Sequence, residues 1–291
     1  MARILLTGVS GQVGHELLNM LAPLAEVIAV TRQDMDLTNQ ASILKILEKY
    51  QPTIIVNPAA YTAVDKAELE QAYLINRDAP KTMAEWAVTH NALLVHYSTD
   101  YVFDGTKEGS YVEEDIPNPQ SVYGLSKLLG EQAIQQSGAK HLIFRTSWVF
   151  GVHGNNFIKT IIRLAKERES LNVVADQHGA PTSAHLIAQV TTQVLTQFLQ
   201  DAPFKAYGVY HLTASGQTTW HEYAQFIVQQ VQQKQIVNLK KDKIMAIPSR
   251  EYPTPAKRPL NSRLSCQKLQ QQFMIQLTNW QDEVRNVLQQ L

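Results

Sequence analysis

Two residues one helical turn apart, Tyr123 and Lys127, form the spacing in this sequence that most directly suggests chemistry. Positions i and i+4 of a helix lie on one face, so the lysine ammonium is expected to lie near the phenol. A neighbouring positive charge favours phenolate and is expected to lower the pKa of Tyr123 from about 10. We predict that Tyr123 is a general acid or base in a cleft that the Thr99 hydroxyl also reaches. The alternative is an exposed tyrosine beside a solvated lysine.

A glycine-rich segment near the N-terminus predicts a second element of the site. Gly8, Gly11 and Gly14 lie between a predicted strand and a predicted helix. Gly8 permits a tight turn, Gly11 lets the backbone approach a pyrophosphate, and Gly14 lets the helix pack close to the strand. The first amides of that helix would bind phosphate. The spacing therefore predicts a dinucleotide site, the alternative being a turn that merely needs small residues.

The end of the second predicted strand bears on which dinucleotide binds. An NAD site usually has Asp or Glu there, whereas this chain has Thr31 and Arg32. Arg32 would suit a 2′-phosphate, which favours NADPH and leaves NADH possible, unless it is an ordinary surface arginine. Asp36 and Leu37 are expected to place a carboxylate and an apolar contact near the adenine.

The elements that must position these residues alternate along the first half of the chain. Short apolar runs, typical of strands buried on both faces, occupy 4–7, 27–30, 53–57, 93–98 and 141–146. Helix-like segments occupy 12–21, 42–50, 79–90 and 122–136. This order predicts an α/β fold with a Rossmann-like, doubly wound parallel sheet. The second half predicts helices at 156–169, 184–200 and 220–231, the last capped by Thr218 or Thr219, and a strand at 209–212.

Composition excludes several classes of function. Lys and Arg total 26, as do Asp and Glu, so the formal charge is zero and nothing favours nucleic acid as a partner. One cysteine, Cys266, excludes an internal disulfide and a cysteine-rich metal site. No apolar run approaches the roughly 20 residues that span a membrane. The N-terminus lacks the layout of a secretory signal, so a cytoplasmic protein is expected.

Several longer segments carry a family resemblance. They are 57–68, 96–105, 144–150, 154–157, 176–182 and 258–264. Together with the glycine turn and the tyrosine–lysine pair they resemble the extended short-chain dehydrogenase/reductase family, and within it the reductases of sugar nucleotides. The resemblance implies an NADP(H)-binding Rossmann domain at 1–150. It also implies a smaller α/β part at 151–291 that mainly binds the sugar nucleotide and is interleaved with the first.

The resemblance also implies residue roles. Gly11, Gln12 and Val13 would hold the cofactor pyrophosphate, and Ala60, Tyr61 and Thr62 would line the cofactor at the end of the third strand. Tyr123 and Lys127 would also contact the nicotinamide ribose. The residues implied to contact a deoxythymidine diphosphate (dTDP)-linked sugar are Val64, Thr99, Asp100, Tyr101, Trp148, Asn156, Arg258 and Arg263. Arginine suits a diphosphate, although either arginine could instead serve a structural ion pair.

The implied reaction is hydride transfer to the C4 ketone of a nucleotide-linked 6-deoxyhexose, with Tyr123 donating the proton. An epimerase or dehydratase is one alternative, but dehydratases of this fold typically place Asp-Glu after the threonine, where this chain has Asp100 and Tyr101. A non-catalytic subunit like the regulatory beta subunit of methionine adenosyltransferase is another.

Some family members bind a divalent cation between subunits through glutamates, one of which matches Glu16. At the other matching positions this chain has His185 and Gln290, so no metal is predicted. His185 is expected to be a plain helix-face histidine, and the chain to be a monomer or weak homodimer.

Overall fold

A central sheet of six parallel strands organises the protein. The computed structural model describes residues 2–66, 69–200, 203–234, 237 and 239–291, so the last two residues of segment 57–68 lie outside the described residues. The strands are β1 (Arg3–Leu6), β2 (Glu26–Ala29), β3 (Ile54–Asn57), β4 (Leu93–Thr99), β5 (Lys140–Thr146) and β6 (Gly208–His211). Their order across the sheet is β2-β1-β3-β4-β5-β6. The chain reverses its direction of winding between β1 and β3, which is where α/β sheets of this kind bind ligands.

Ten helices surround this sheet within the described part of the chain. They are α1 (Gln12–Leu21), α2 (Gln40–Tyr50), α3 (Leu69–Tyr73), α4 (Ala79–Thr89), α5 (Val122–Ser137), α6 (Phe157–Glu167), α7 (Ala184–Gln200), α8 (Trp220–Gln233), α9 (Gln267–Phe273) and α10 (Trp280–Gln290). None of the helices in the described ranges is both long enough and apolar enough to cross a bilayer.

Alternate residues of each strand enter two separate cores, because successive side chains of a strand point to opposite faces. Leu6 of β1 joins Leu17 of α1 and Ile187 of α7 on one face. Leu5 joins Ile43 of α2 and Met83 of α4 on the other. The predicted doubly wound parallel sheet is therefore confirmed.

The predicted boundaries agree with the structure to within two residues for each predicted strand and helix. The sixth strand comes from the second half of the chain, so the two halves share one sheet. Thr219, rather than Thr218, caps α8, in a reciprocal arrangement with Glu222. The sequence did not predict α3 or the π-helical segment Leu74–Asp78. It also missed three two-stranded ladders, which are Val149–Phe150 with Thr182–Ser183, His178–Gly179 with Thr218–Thr219, and Leu171–Val174 with Ile244–Ile247.

Candidate active site

The glycine turn connects β1 to α1 in a space too tight for side chains. Gly8 has φ +59°, and a Cβ there would lie 3.0 Å from the backbone of Ala59, just after β3. A Cβ on Gly14 would lie only 2.1 Å from the carbonyl oxygen of Gly8. Gly11 occupies the N-cap of α1 and offers no side chain to its amides, and the first turn holds no acidic residue. The positive end of α1 is therefore left for an anion.

A cleft of about 520 Å³ runs from this turn along the carboxyl ends of the central strands. All fourteen predicted cofactor residues line it, namely Gly8, Gly11, Gln12, Val13, Gly14, Thr31, Arg32, Asp36, Leu37, Ala60, Tyr61, Thr62, Tyr123 and Lys127. The sequence did not predict the lining residues Thr7, Ser10, Val30, Met35, Pro58, Ala59, Gln71, Ile75, Tyr97, Ser98, Thr146 and Val149.

Two of the unpredicted lining residues stand out because their hydroxyls are buried and unpartnered within the described part of the chain. They are Ser98, near the end of β4, and Thr146, at the end of β5. Buried hydroxyls ordinarily have a partner, so these two are suited to contact a bound molecule. The sequence could have indicated both residues, because each lies at the carboxyl end of a predicted parallel strand, where such sheets bind ligands.

The far end of the cleft carries Arg32 beside two internally bonded aspartates. Asp34 Oδ2 accepts hydrogen bonds from the backbone N (2.9 Å) and the hydroxyl (2.7 Å) of Thr31. Asp36 Oδ1 accepts from the backbone N and the hydroxyl of Thr38, and these bonds lower the pKa of Asp36. Arg32 is exposed on the cleft rim. Its guanidinium is therefore accessible to a phosphate.

Local sequence explains why Tyr123 lies beside Thr99. Ser121 caps α5 by accepting from Gly124 N (3.1 Å), which places Tyr123 in the first turn of the helix. A Cβ on Gly124 would lie 2.2 Å from the carbonyl oxygen of Tyr101, so only glycine lets α5 approach so closely. The rings of Tyr101 and Tyr123 meet edge to face with centroids 5.6 Å apart.

The pKa of Tyr123 is raised above its ordinary value of 10. Burial of the hydroxyl is the main cause, a hydrogen bond with Thr99 opposes it, and the charge of Asp100 adds to it. The predicted lowering by Lys127 is therefore wrong for this structure. Lys127 Nζ lies instead 3.0 Å from His96 Nε2. Tyr123 is held as a protonated phenol, which is the form that can donate a proton.

Lys127 is almost completely buried, with 1% of its surface exposed. Burial lowers its pKa from 10.5 to about 8, and the charge of Glu131 opposes that shift. Glu131 is itself paired with Arg145, with 2.6 Å between Oε2 and Nη2. The carboxylate nearest in sequence on the same helix, Glu131, is therefore already paired and does not form an ion pair with the Lys127 ammonium.

The residues that follow β4 form a compact turn beside Tyr123. The Thr99 hydroxyl accepts from Tyr101 N (3.2 Å) and donates to Asp100 Oδ1 (3.0 Å). Burial raises the pKa of Asp100 to about 6, with hydrogen bonds from Ser262 and Thr99 opposing. Asp100 Oδ2 is buried and has no hydrogen-bond partner in the described part of the chain. The turn therefore presents a hydroxyl and a carboxylate next to the phenol.

The C-terminal segment approaches the same turn. Arg258 Nη2 lies 2.7 Å from Asp65 Oδ2 and also hydrogen-bonds the Tyr101 side chain. Val64 begins the short 3₁₀ turn that contains Asp65. Arg263 donates through Nε to Asn261 Oδ1 (2.7 Å). Both arginines therefore have intramolecular partners. Arg258 forms an ion pair, as the structural alternative for these arginines expected, whereas Arg263 is hydrogen-bonded to an uncharged amide.

Two other predicted substrate residues have partners that the sequence did not indicate. Trp148 has φ +49° and stacks on Trp220 with centroids 3.7 Å apart. A Cβ on Gly179 would lie 2.6 Å from the Trp148 ring. Asn156 caps α6 and donates to Gln12 Oε1 (3.0 Å) and to the carbonyl oxygen of Gly151 (2.7 Å). Asn156 therefore links the glycine turn to the second half of the chain.

Glu16 and His185 come together on α1 and α7, with His185 Nδ1 3.4 Å from Glu16 Oε2, and the His185 side chain is half exposed on its helix. Gln290 lies at the end of α10. Across the described ranges, no three His, Cys, Asp or Glu side chains are grouped so that they could hold a metal.

Known proteins resemble this chain over its whole length. A family profile described as "RmlD substrate binding domain" matches residues 2–291. The dTDP-4-dehydrorhamnose reductase of Shigella flexneri is 47% identical, the alignment covering 99% of this chain and 97% of the relative. The protein of the same name from Sinorhizobium fredii is 40% identical over 98% of this chain and 96% of the relative.

Solved structures show the same likeness. A dTDP-4-dehydrorhamnose reductase of Clostridium acetobutylicum has a TM-score of 0.90 at 37% identity, covering 99% of each chain. One from Bacillus anthracis, in complex with NADP, has a TM-score of 0.89 at 32% identity and covers 100% of each chain.

Proposed function

We infer how the residues of this chain reduce a nucleotide-linked keto sugar from its family and from the geometry of the cleft. The chain belongs to the RmlD substrate binding domain family. The protein is an NADPH-dependent oxidoreductase that reduces dTDP-4-dehydrorhamnose to dTDP-L-rhamnose, the last step of dTDP-L-rhamnose synthesis. The observation that carries the residue assignment is the meeting of Tyr123, Lys127 and the glycine turn in one cleft.

The residues of the cleft fit NADPH. Gly14 lies where a Cβ would clash with the Gly8 carbonyl oxygen, and Gly8 has a φ of +59° that favours glycine. These two glycines let α1 start close to β1, and its uncapped end can receive a pyrophosphate. Arg32 would face the 2′-phosphate, and Asp36 and Leu37 would flank the adenine. Ala60, Tyr61 and Thr62 would line the middle of the cofactor, and Lys127 would hold the nicotinamide ribose. When bound, NADPH supplies the hydride.

Tyr123 supplies the proton. Negative charge develops on the C4 oxygen of the sugar as the ketone is reduced, and a phenol whose pKa is raised by burial stays protonated until that charge appears. Thr99, which hydrogen-bonds Tyr123, would orient the same oxygen. Tyr123 ends the step as a phenolate, a form that its hydrogen bond with Thr99 favours.

The sugar nucleotide would occupy the region between the turn after β4 and the C-terminal segment. Asp100 and Tyr101 lie beside Tyr123. Val64 would contact the sugar, and Trp148 would offer it an apolar wall. Arg258 already lies beside Tyr101, and we infer that the substrate diphosphate would draw it and Arg263 from their present partners. Asn156 would act through Gln12 rather than by direct contact. We propose that residues 151–291 mainly bind the sugar nucleotide, with Val64, Asp100, Tyr101 and Trp148 contributed by residues 1–150.

We further propose that the enzyme works in the cytoplasm as a monomer or weak homodimer and binds no nucleic acid or membrane. A zero formal charge motivates the exclusion of nucleic acid. Sedimentation at micromolar concentration would test the oligomeric state, and a tight dimer would contradict the proposal.

Oxidation of NADPH in the presence of the 4-keto-6-deoxy sugar tests the proposal, with the sugar linked to dTDP in one series and to UDP in another. The parent protein is expected to consume NADPH with the dTDP sugar, and Tyr123→Phe to consume almost none. NADPH oxidation by the variant at the parent rate would show that Tyr123 is not the acid. Tightly retained NAD with no net oxidation would instead favour an epimerase or dehydratase.

A further inference from the structure

His96 is a fully buried, titratable residue next to the site that the reaction as described does not use. It lies on β4, three residues before Thr99, with 0% of its surface exposed. In the sheet it pairs with Asn57, the last residue of β3. A buried polar side chain costs free energy unless it is hydrogen-bonded, so its partners are informative.

His96 is the middle of a hydrogen-bonded chain of four buried residues. Lys127 Nζ lies 3.0 Å from His96 Nε2. On the other side of the ring, Asn57 Nδ2 lies 3.3 Å from His96 Nδ1. Asn57 Oδ1 in turn lies 2.7 Å from the hydroxyl of Thr7, which follows β1 at the start of the glycine turn. This series of hydrogen bonds links Lys127 to the glycine turn across three strands.

The charge of Lys127 dictates which way the hydrogen bonds of this chain run. Burial and the neighbouring ammonium hold the pKa of His96 well below 6.5, so the ring is neutral and has one donor and one acceptor nitrogen. An ammonium can only donate, so Nε2 must be the acceptor and Nδ1 must carry the proton. The backbone carbonyl of Asn57, which hydrogen-bonds the His96 side chain, can accept this proton. If the Asn57 side chain also accepts from Nδ1, its near-symmetric amide turns over, and the Thr7 hydroxyl then accepts from Asn57 Nδ2.

We propose that His96 is a positioning residue for Lys127: its Nε2 accepts one N–H of the buried ammonium and leaves the other two for the cofactor ribose. Asn57 selects the ring tautomer that makes this possible. The inference rests on the proposed function only in taking Lys127 as the residue that holds the ribose.

The other groups that face Lys127 do not supply this contact. On its own helix, Glu131 acts on Lys127 only through its charge and is bonded to Arg145 of β5. Tyr123, one turn earlier, is hydrogen-bonded to Thr99 of β4. Among the hydrogen bonds that the structure describes, His96 is the partner of Nζ.

Two matched variants separate the contact with Lys127 from a general structural role. In His96→Gln the side-chain amide reaches the place of Nε2, whereas in His96→Asn it reaches only the place of Nδ1. We expect His96→Asn to weaken NADPH binding about tenfold at neutral pH, because the ammonium loses an acceptor. The pH at which NADPH affinity falls on the alkaline side should also move down by about one unit. His96→Gln should keep the parent affinity and the parent pH dependence.

NADPH affinity is read by direct titration, so the result does not depend on turnover of any sugar. If both variants shift the alkaline limb equally, or neither shifts it, the proposal is wrong. A parent protein that binds NADPH but reduces no 4-keto sugar would refute the proposed function while leaving the His96 test intact.

The tautomer of His96 gives a second measurement that needs no variant to bind cofactor. Nitrogen-15 NMR of the parent near pH 7, with the His96 signal assigned from its loss in His96→Gln, should show a proton on Nδ1 and a bare Nε2. A proton on Nε2 at that pH would overturn the proposal, because Nε2 could not then accept from the ammonium.

Discussion

Replacing Lys127 by Met should reveal the cost of burying its charge. Burial lowers the pKa of Lys127 from 10.5 to about 8 in the folded protein. In the pH range between these values the unfolded chain therefore binds more protons than the folded chain. Since stability rises with pH wherever the unfolded state binds more protons, the parent gains free energy of unfolding as the pH rises from about 8 to about 10.5. A methionine at the same place has no such dependence.

The size of the effect follows from the two pKa values. The interval from 10.5 to about 8, at about 1.36 kcal/mol per pH unit, amounts to about 3 kcal/mol. The free energy of unfolding of the parent minus that of Lys127→Met should therefore increase by about 3 kcal/mol between about pH 7 and pH 10.5. The variant lacks the contact with His96 at every pH. This loss adds a constant to the parent-minus-variant free energy of unfolding and does not change how that difference depends on pH.

Urea unfolding of both proteins across this range measures the difference. Lys81→Met is the matched control, because the Lys81 side chain is 55% exposed and its removal should leave the difference flat. A parent-minus-variant difference that stays constant within about 0.5 kcal/mol, or that falls with rising pH, would refute the burial of a charged Lys127.

Three further changes test other parts of the cleft. Tyr123→Phe should lower kcat about 10²- to 10⁴-fold while the dissociation constant for NADPH, from fluorescence titration, stays within about twofold, and an unchanged kcat would contradict the acid role. Arg32→Ala should weaken NADPH about tenfold and NADH hardly at all, since only NADPH carries the 2′-phosphate, and equal losses would remove that role. Gly14→Ala puts a Cβ 2.1 Å from the Gly8 oxygen and should weaken NADPH by at least about tenfold. Gly138→Ala strains the left-handed C-cap of α5 (φ +76°) and should lower stability, but its Cβ would meet nothing within 4 Å. It should therefore leave NADPH affinity unchanged, and an equal loss of affinity there would contradict the steric explanation.

Features set by local sequence were predictable. The limits of α1 and α7 agree with the sequence pattern because apolar spacing and turn residues lie within each segment. The fourteen cofactor residues line one cleft because parallel strands bring their carboxyl ends to one edge, and the glycine turn identifies which edge.

Features that depend on distant contacts were not predictable. The raised pKa of Tyr123 depends on its burial beside Thr99 and Asp100, which belong to another element. The turning of Lys127 toward His96 depends on a residue 31 positions away in the sequence. The left-handed backbone of Trp148 is maintained by Gly179 and Trp220, neither of which is near it in sequence. Each short two-stranded ladder pairs segments too brief for any periodicity to show.

The fate of a deuterium carried by the nicotinamide tests the central claim most directly. The protein would be supplied with NADPH deuterated at the transferable position and with dTDP-4-dehydrorhamnose, and the product examined by mass spectrometry and NMR. One deuterium at C4 of the sugar, appearing in step with NADPH consumption, is the predicted result. A product without deuterium at C4, or turnover that leaves the deuterium on the cofactor, would contradict direct reduction in this cleft.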